Sequence, residues 1–313
     1  MAEKISFVIP CYRSEHTLPA VIAEIELTMA ERPAHDYEII CVSDASPDGV
    51  YDVIARMAME DAHIRGAEFL KNFGQHAALM AGYRMATGDI VVSLDDDGQI
   101  PVDEVFLLID ELQRGYDVVW GTYSHKQHNG FRRFGSWVNK VMAEHLIGQP
   151  KGMHLTSYFV MTQQVAEAVT AYHQPYVYVE GLLLRVTRNI ATVPVHHRKR
   201  MEGVSGYTWK KLVALWLNGF TAFSIKPLRV ASFVGMASSF ISFLYLVGVI
   251  VRYFLQPYIP VGWSSLIGAT FLIGGIILMV LGMIGEYVGR IYICINEAPQ
   301  YVVRRTTEGL AKT

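Results

Sequence analysis

Three consecutive aspartates lie within the stretch Ser93-Leu94-Asp95-Asp96-Asp97-Gly98-Gln99. In an extended segment successive side chains point to opposite sides, so Asp95 and Asp97 share one side and Asp96 takes the other. Two carboxylates and the Gln99 carbonyl form an all-oxygen donor set. Such a set suits a hard divalent cation, Mg2+ or Mn2+, whose usual task beside carboxylates is to hold a diphosphate. The competing reading is an acidic, solvated turn, because Asp-x-Asp alone is a short pattern. Position favours the chemistry. The aspartates follow Gly88-Asp89-Ile90-Val91-Val92, an apolar run of strand length bounded by turn signals. They therefore stand at the C-terminal end of a buried parallel strand, where open α/β sheets place their ligands.

The elements that must position these residues alternate. Apolar strands at 5–9, 37–42, 67–70 and 90–92 are separated by helical patterns at 17–30, 50–61 and 75–86. Pro10 ends the first strand, and Pro19 falls in a first helical turn, where it is tolerated. This alternation means βαβ units and a mostly parallel sheet, an α/β fold. Three strands end in polar clusters, Cys11-Tyr12-Arg13, Ser43-Asp44 and Asp95 to Gln99, and those ends should converge on one crevice. Further along come a helix at 102–113, a strand at 117–120, a strand at 157–161, a helix at 163–172, a helix start at Glu180 and a strand at 190–195. Two basic stretches accompany them. One is the loop 121–133 with His125, Lys126, His128, Arg132 and Arg133; the other is His196-His197-Arg198-Lys199-Arg200. The second suits a mouth facing phosphate or a positive rim beside a membrane. Adjacent histidines without an acidic partner make a poor metal site.

The chain's 313 residues are 51% hydrophobic and 18% charged, and the mean hydropathy is +0.24. That is more apolar than an ordinary soluble domain, and the excess lies late in the chain. Net charge is −2, with a pI near 6.6, so no basic field points to nucleic acid. Cys11, Cys41 and Cys294 show no pairing or Cys-x-x-Cys spacing, which fits a reducing compartment and buried small residues. The start does not read as a signal peptide, because the apolar run from Ile5 breaks at Pro10.

Arg252 is the only Lys, Arg, Asp or Glu between Arg229 and Glu286. Two segments fit there, 230–253 and 263–286, each long enough to cross a hydrocarbon core of about 30 Å. Residues 256–262, with Pro257, Pro260 and Gly262, break the run, so the pattern is a hairpin. Lys210, Lys211, Lys226 and Arg229 precede it, and Arg290, Arg304 and Arg305 follow. The positive-inside rule puts both ends in the cytoplasm. Trp209, Leu212, Leu215, Trp216, Phe220 and Phe223, mixed with Lys210 and Lys211, suit helices lying in the membrane interface. The expected organisation is a cytoplasmic catalytic domain at 1–203, interfacial amphipathic helices at 204–227, a transmembrane hairpin at 228–289 and a cytoplasmic tail at 290–313.

Val8-Ile9-Pro10-Cys11-Tyr12, Val42-Ser43-Asp44-Ala45-Ser46-Pro47-Asp48-Gly49, Asn72-Phe73-Gly74 and Asp95-Asp96-Asp97-Gly98-Gln99 occur in that order within about 90 residues. Together they resemble the nucleotide-sugar-binding GT-A domain of family 2 glycosyltransferases, a Rossmann-like fold. The resemblance implies that Pro10, Tyr12, Asp44 and Asp95 contact the nucleotide sugar, and that Asp95, Asp97 and Gln99 hold Mg2+ or Mn2+ and the diphosphate, with Asp95 and Asp97 serving catalysis. Many members carry two acids in the second motif, and here the first is Ser43. Val193 to Arg200, Gly203-Val-Ser-Gly-Tyr, Leu215-Trp-Leu-Asn-Gly-Phe, Ser224-Ile-Lys-Pro-Leu-Arg and Gly285-Glu-Tyr-Val-Gly-Arg-Ile-Tyr are similar to the polyprenyl-phosphate branch of that family. That branch includes dolichyl-phosphate mannose synthases and the bacterial enzymes that load glucose or aminoarabinose derivatives onto undecaprenyl phosphate. It implies a nucleotide sugar, a UDP-sugar, as donor and polyprenyl phosphate as acceptor. It also implies an inner-membrane, multi-pass protein that meets a lipid bilayer and forms a homo-oligomer, a tetramer in relatives. Arg198 and Arg200, with Arg132 behind them, are the candidates for the acceptor phosphate. Some members use a carboxylate near Glu180 as general base on a sugar hydroxyl. A phosphate acceptor is already a nucleophile and needs none. Two other readings stay open: a transferase acting on a sugar hydroxyl of a glycan or glycolipid, and a non-enzymatic scaffold with a GT-A domain. The Gln-x-x-Arg-Trp motif usual in processive synthases is absent.

Overall fold

Seven of the eight residues in β1 (Lys4–Cys11) are buried, because this strand lies inside the sheet and is covered on both faces. In the computed structural model the described residues are 3–123, 153, 155–196, 240, 244, 262–296 and 298–309. The chain forms two units, one of Met1–Tyr207 with Glu297–Thr313 and one of Thr208–Asn296.

In the first unit α1 (Leu18–Ala30), β2 (Asp36–Ser43), α2 (Val50–Glu60), β3 (Ile64–Phe69), α3 (Gln75–Met85) and β4 (Ile90–Ser93) follow β1 in strict alternation. After them come a 3-10 turn at Val102–Glu104, α4 (Val105–Leu112), β5 (Val118–Tyr123), β6 (Phe159–Thr162), α5 (Gln163–Thr170), α6 (Val179–Val186) and β7 (Ile190–Val195). The sheet runs β7-β5-β6-β4-β1-β2-β3-β8, the last being Val303–Thr306. The pairs β1–β2, β1–β4, β2–β3 and β5–β7 are parallel; β6 runs antiparallel to both of its neighbours. This is the expected α/β, Rossmann-like sheet.

Alternation along β1 divides the core. Ile5, Phe7 and Ile9 face α1, α2 and α4, while Val8 faces α3, α5 and α6. α3 lies so near β1 that a Cβ at Gly82 would fall 2.3 Å from Val8 Cγ1. Only glycine allows that approach, and the approach delivers the N-terminal turn of α3 to the end of β4.

Several boundaries differ from the sequence reading. β1 runs through Pro10 to Cys11. Its register with β4 stops at Val8, so Pro10 lies beyond that ladder and its missing N–H costs no bond there. β3 begins at Ile64, ahead of 67, and β6 at Phe159, leaving Ser157 in the loop before it. Cys11 and Cys41 are buried free thiols, as expected.

The segment after 290, to which the sequence reading gives no element, closes the far edge of the sheet. β8 (Val303–Thr306) pairs antiparallel with β3. Thr307 Oγ1 accepts from Gly66 N–H at 2.9 Å, Arg305 Nε donates to Glu68 at 2.8 Å, and Glu308 pairs with Arg65. Before the strand, Arg84 of α3 donates to Gln300 Oε1 at 3.0 Å and to the Tyr301 hydroxyl at 2.8 Å, and Tyr301 stacks on Phe69 with ring centres 5.0 Å apart.

The second unit contains α7 (Trp263–Ile295), a single helix of 33 residues that extends beyond the expected 286. Leu272–Ile295 has a mean hydropathy of 1.9 over its most apolar stretch, none of it buried, and is long and apolar enough to cross a membrane. Of the expected span 230–253, residues 240 and 244 are described, both helical. The interfacial segment 204–227 lies outside the described residues.

Candidate active site

The loops after β1, β2 and β4 are laced together at the C-terminal ends of their strands. The Asp44 N–H donates to Cys11 O at 3.1 Å, and Arg13 N–H to Ser46 Oγ at 2.8 Å. Glu15 N–H donates to Asp48 at 3.0 Å, and Gly49 N–H returns a bond to Glu15 at 3.0 Å. On the other side Tyr12 N–H donates to Asp96 Oδ2 at 3.0 Å, and Thr17 Oγ1 to the Asp96 carbonyl at 2.7 Å. Arg13 (φ 60°) and Ala45 (φ 48°) take left-handed conformations, each costing roughly 1 kcal/mol or more. Strain of this kind persists where surrounding bonds over-determine the loop. The three polar strand ends thus meet in one crevice.

Asp95 and Asp96 turn to opposite sides, as the alternation requires. Asp96 turns to the β1 loop. Asp95 turns towards α3, where Gln75 Nε2 donates to Oδ1 at 2.8 Å, while Ser157 Oγ donates to Oδ2. Burial pushes the Asp95 carboxyl up to about 6; the Ser157 bond opposes this, and the charges of Asp97, Asp96 and Glu180 add to it. Asp96 is also raised, by burial first. Asp97 accepts the Gln99 N–H at 3.1 Å across a turn that Gly98 makes at φ +69°.

Crowded carboxylates with a raised acid favour a bound cation over a bound proton only when the cation is strongly charged and oxygen-seeking. Asp95, Asp97 and Gln99 fit that donor type. Among the described residues no three His, Cys, Asp or Glu side chains form a closed metal cage. Mg2+ and Mn2+ beside one or two carboxylates are ordinarily completed by water and substrate phosphate, and the residues present fit such an open site.

Pro10 is buried in β1 opposite Val42, and Tyr12 is 45% exposed at the rim. Asp44 is buried, with both carboxylate oxygens accepting backbone N–H bonds, from Phe73 at 2.7 Å and Gly74 at 2.8 Å. Burial raises its carboxyl, and those two bonds oppose the rise. Asp44 therefore shapes the 72–74 loop, whose Gly74 stands at φ +97° at the start of α3. Glu180, in the first turn of α6, pairs with His76 of α3 at 3.7 Å. His196 pairs with Glu104, Nδ1 to Oε1 at 2.5 Å. Arg132, Arg198 and Arg200 lie outside the described residues.

Gln75, Ser157 and His76 escape sequence reasoning. The partner of Ser157 is 62 positions away and that of Gln75 is 20. One signal was available for Gln75: it opens the helix directly after Asn72-Phe73-Gly74, at the sheet end where ligands bind.

The glycosyl transferase family 2 model matches residues 6–169, which contain all of these strand ends. The chain belongs to glycosyl transferase family 2. This family 2 chain is 30% identical over 309 residues to the SfII prophage-derived bactoprenol glucosyl transferase of Shigella flexneri, covering 98% of this chain and 99% of the relative. It is also 30% identical over 306 residues to the undecaprenyl-phosphate 4-deoxy-4-formamido-L-arabinose transferase of Yersinia enterocolitica, covering 97% and 93%. Among solved structures, glucosyl-3-phosphoglycerate synthase from Mycobacterium tuberculosis, in complex with Mn2+ and uridine-diphosphate-glucose, superposes with a TM-score of 0.51 at 19% identity. It covers 69% of this chain and 79% of that one, and it supports the GT-A fold alone.

Proposed function

We propose that this glycosyltransferase moves a sugar from a UDP-sugar to the phosphate of a polyprenyl phosphate, undecaprenyl phosphate, at the cytoplasmic face of the membrane. The observation that carries the reading is end-to-end similarity. The relatives named for bactoprenol and undecaprenyl phosphate match over nearly the whole chain, α7 included, and not over the nucleotide half alone. Tyr12, Pro10 and the Asp44-held loop frame the nucleotide, while Asp95, Asp97 and Gln99 would hold a divalent cation. Such a cation supplies positive charge where the leaving diphosphate gathers negative charge. An acceptor phosphate oxygen attacks the anomeric carbon from the face opposite the diphosphate. The new C–O bond forms as the old one breaks, its electron pair leaves with UDP, and the anomeric configuration inverts. Arg198 and Arg200, with Arg132, hold the acceptor through bidentate bonds. Arg200→Ala then lowers kcat/KM for the lipid while donor affinity stays.

The apolar exposed helix α7 supports one membrane span, and the apolar sequence 230–253 supports a second, giving a hairpin in the inner membrane with the catalytic domain in the cytoplasm; the resemblance adds a homo-oligomer. A second reading takes Glu180, which opens α6 beside His76 of α3, as a base for a hydroxyl acceptor. The test is to incubate the purified protein with undecaprenyl phosphate and a panel of nucleotide sugars, with and without EDTA. A metal-dependent, lipid-phosphate-linked sugar is expected. Transfer to a glycan hydroxyl alone overturns the acceptor, and full turnover in EDTA overturns the metal.

A further inference from the structure

The first turn of α3 presents two polar groups, and the Asp95 site uses only one of them. Gln75 reaches Asp95; its neighbour His76 reaches Glu180, with Nδ1 3.7 Å from Oε2. That separation is too long for a hydrogen bond. Both atoms are buried, and among the described residues neither meets a hydrogen-bond partner. The imidazole is set edge-on against Tyr178, ring centres 5.2 Å apart, and the Glu180 side chain is only 15% exposed. An unsatisfied buried polar group costs roughly 1–3 kcal/mol. Groups left so in a native protein call for an explanation, and a binding partner is one.

The chemistry of the pair selects the partner. Oε2 needs a donor, and Nδ1, when it carries the ring proton, needs an acceptor. A hydroxyl is both at once, so one hydroxyl seated beside the pair completes both atoms. A phosphate does not fit, because its charge would face the Glu180 carboxylate across a short distance. Among the substrates of the proposed reaction the sugar carries hydroxyls on the side away from the diphosphate, and Gln75 and His76 are consecutive residues. We propose that His76 and Glu180 form the subsite that reads a hydroxyl of the donor sugar. The inference rests on the nucleotide-sugar reading of the crevice and deepens it.

A base would make a different demand. It acts on the acceptor during reaction and leaves the equilibrium affinity for the donor unchanged. A sugar-reading pair changes that affinity and leaves the nucleotide's own affinity alone. The test is calorimetry on the full chain in detergent with Mn2+, using UDP, UDP-glucose, UDP-galactose and UDP-N-acetylglucosamine. Wild type is compared with Glu180→Gln and with His76→Asn, which keep shape, and unchanged UDP affinity serves as the folding control. For the sugar nucleotide that wild type turns over fastest, the ratio of its Kd to that of UDP should rise about tenfold or more in each variant. An unchanged ratio overturns the subsite, and so does an equal loss for UDP and UDP-sugar. Wild-type protein that binds neither UDP nor any of the three overturns the UDP-sugar reading itself, which is a separate result.

Discussion

Glu38 and Asp95 are two carboxylates near opposite ends of the sheet, and the fold treats them in opposite ways. Glu38 lies near the start of β2, 3% exposed. Burial alone would raise its carboxyl. Bonds from Ser6 Oγ at 2.7 Å, Thr87 N–H at 2.7 Å, Thr87 Oγ1 at 2.9 Å and Arg65 at 3.0 Å outweigh that and bring it down to about 2. Asp95 lies just past the end of β4, holds two neutral donors, faces other carboxylates and is pushed up to about 6. The charge on Glu38 stabilises the fold. The charge on Asp95 costs stability, a cost that the proposed cation would relieve. A buried acid with satisfied charge marks structure; one with crowded charge in a crevice marks function.

The largest effect that would sharpen this contrast is on turnover. Asp97→Asn should lower kcat by about 10³ or more, since it would remove a ligand from the proposed site that neutralises the leaving group. Asp95→Asn should do likewise, while its melting temperature in detergent matches or exceeds that of wild type. A clear fall in melting temperature would break the contrast.

Next comes Glu38→Gln. A drop from an ordinary 4.5 to about 2 corresponds to roughly 3 kcal/mol of stability at neutral pH. The variant should lose about that much by chemical denaturation yet keep kcat per folded molecule. The folded carboxyl is the stronger acid, so the unfolded chain binds more protons between pH 4.5 and 2. The contribution is complete above 4.5 and disappears as pH falls through 2. The gap between wild type and Glu38→Gln should therefore close over that window; a gap constant in pH would show that packing, not charge, is what Glu38 supplies.

Smaller again is the loss of one Asp95 donor. Gln75→Ala and Ser157→Ala should each weaken Mn2+ binding by roughly tenfold, the usual scale for partners that orient a metal ligand. Titrating Mn2+ by its paramagnetic resonance signal measures this without turnover. Unchanged affinity in both would mean that Asp95 is held by the backbone alone.

These differences also govern what the sequence could reveal. β1, β2 and β4 are legible because each carries an apolar run buried inside the sheet, β3 is legible only in its second half because Arg65 and Gly66 interrupt its start, and Asp95 to Gln99 are legible because three acids after such a run have few other uses. β8, Val-Arg-Arg-Thr, is an edge strand with its first three residues exposed, and it carries no apolar alternation. Gln75, Ser157 and His76 are ordinary polar residues whose meaning lies in partners far along the chain. Asp44 was legible as important, but its two bonds to the 73–74 backbone exist only once α3 is in place.

The order in which a ribosome makes this protein adds a consequence. Arg304 binds the carbonyl of Leu70, 234 positions earlier. At about 5–20 residues per second, β3 waits roughly 12–50 s with an unpaired edge before β8 is available. The apolar α7 is made within that interval, so closure of the sheet follows its synthesis. A chain stopped at 296 keeps every carboxylate of the crevice but leaves β3 open as a template for pairing with other copies. It should sediment as aggregates in detergent where the full chain does not. In this protein, completion of the sheet is a late event of biosynthesis, placed after the chain's long apolar helix.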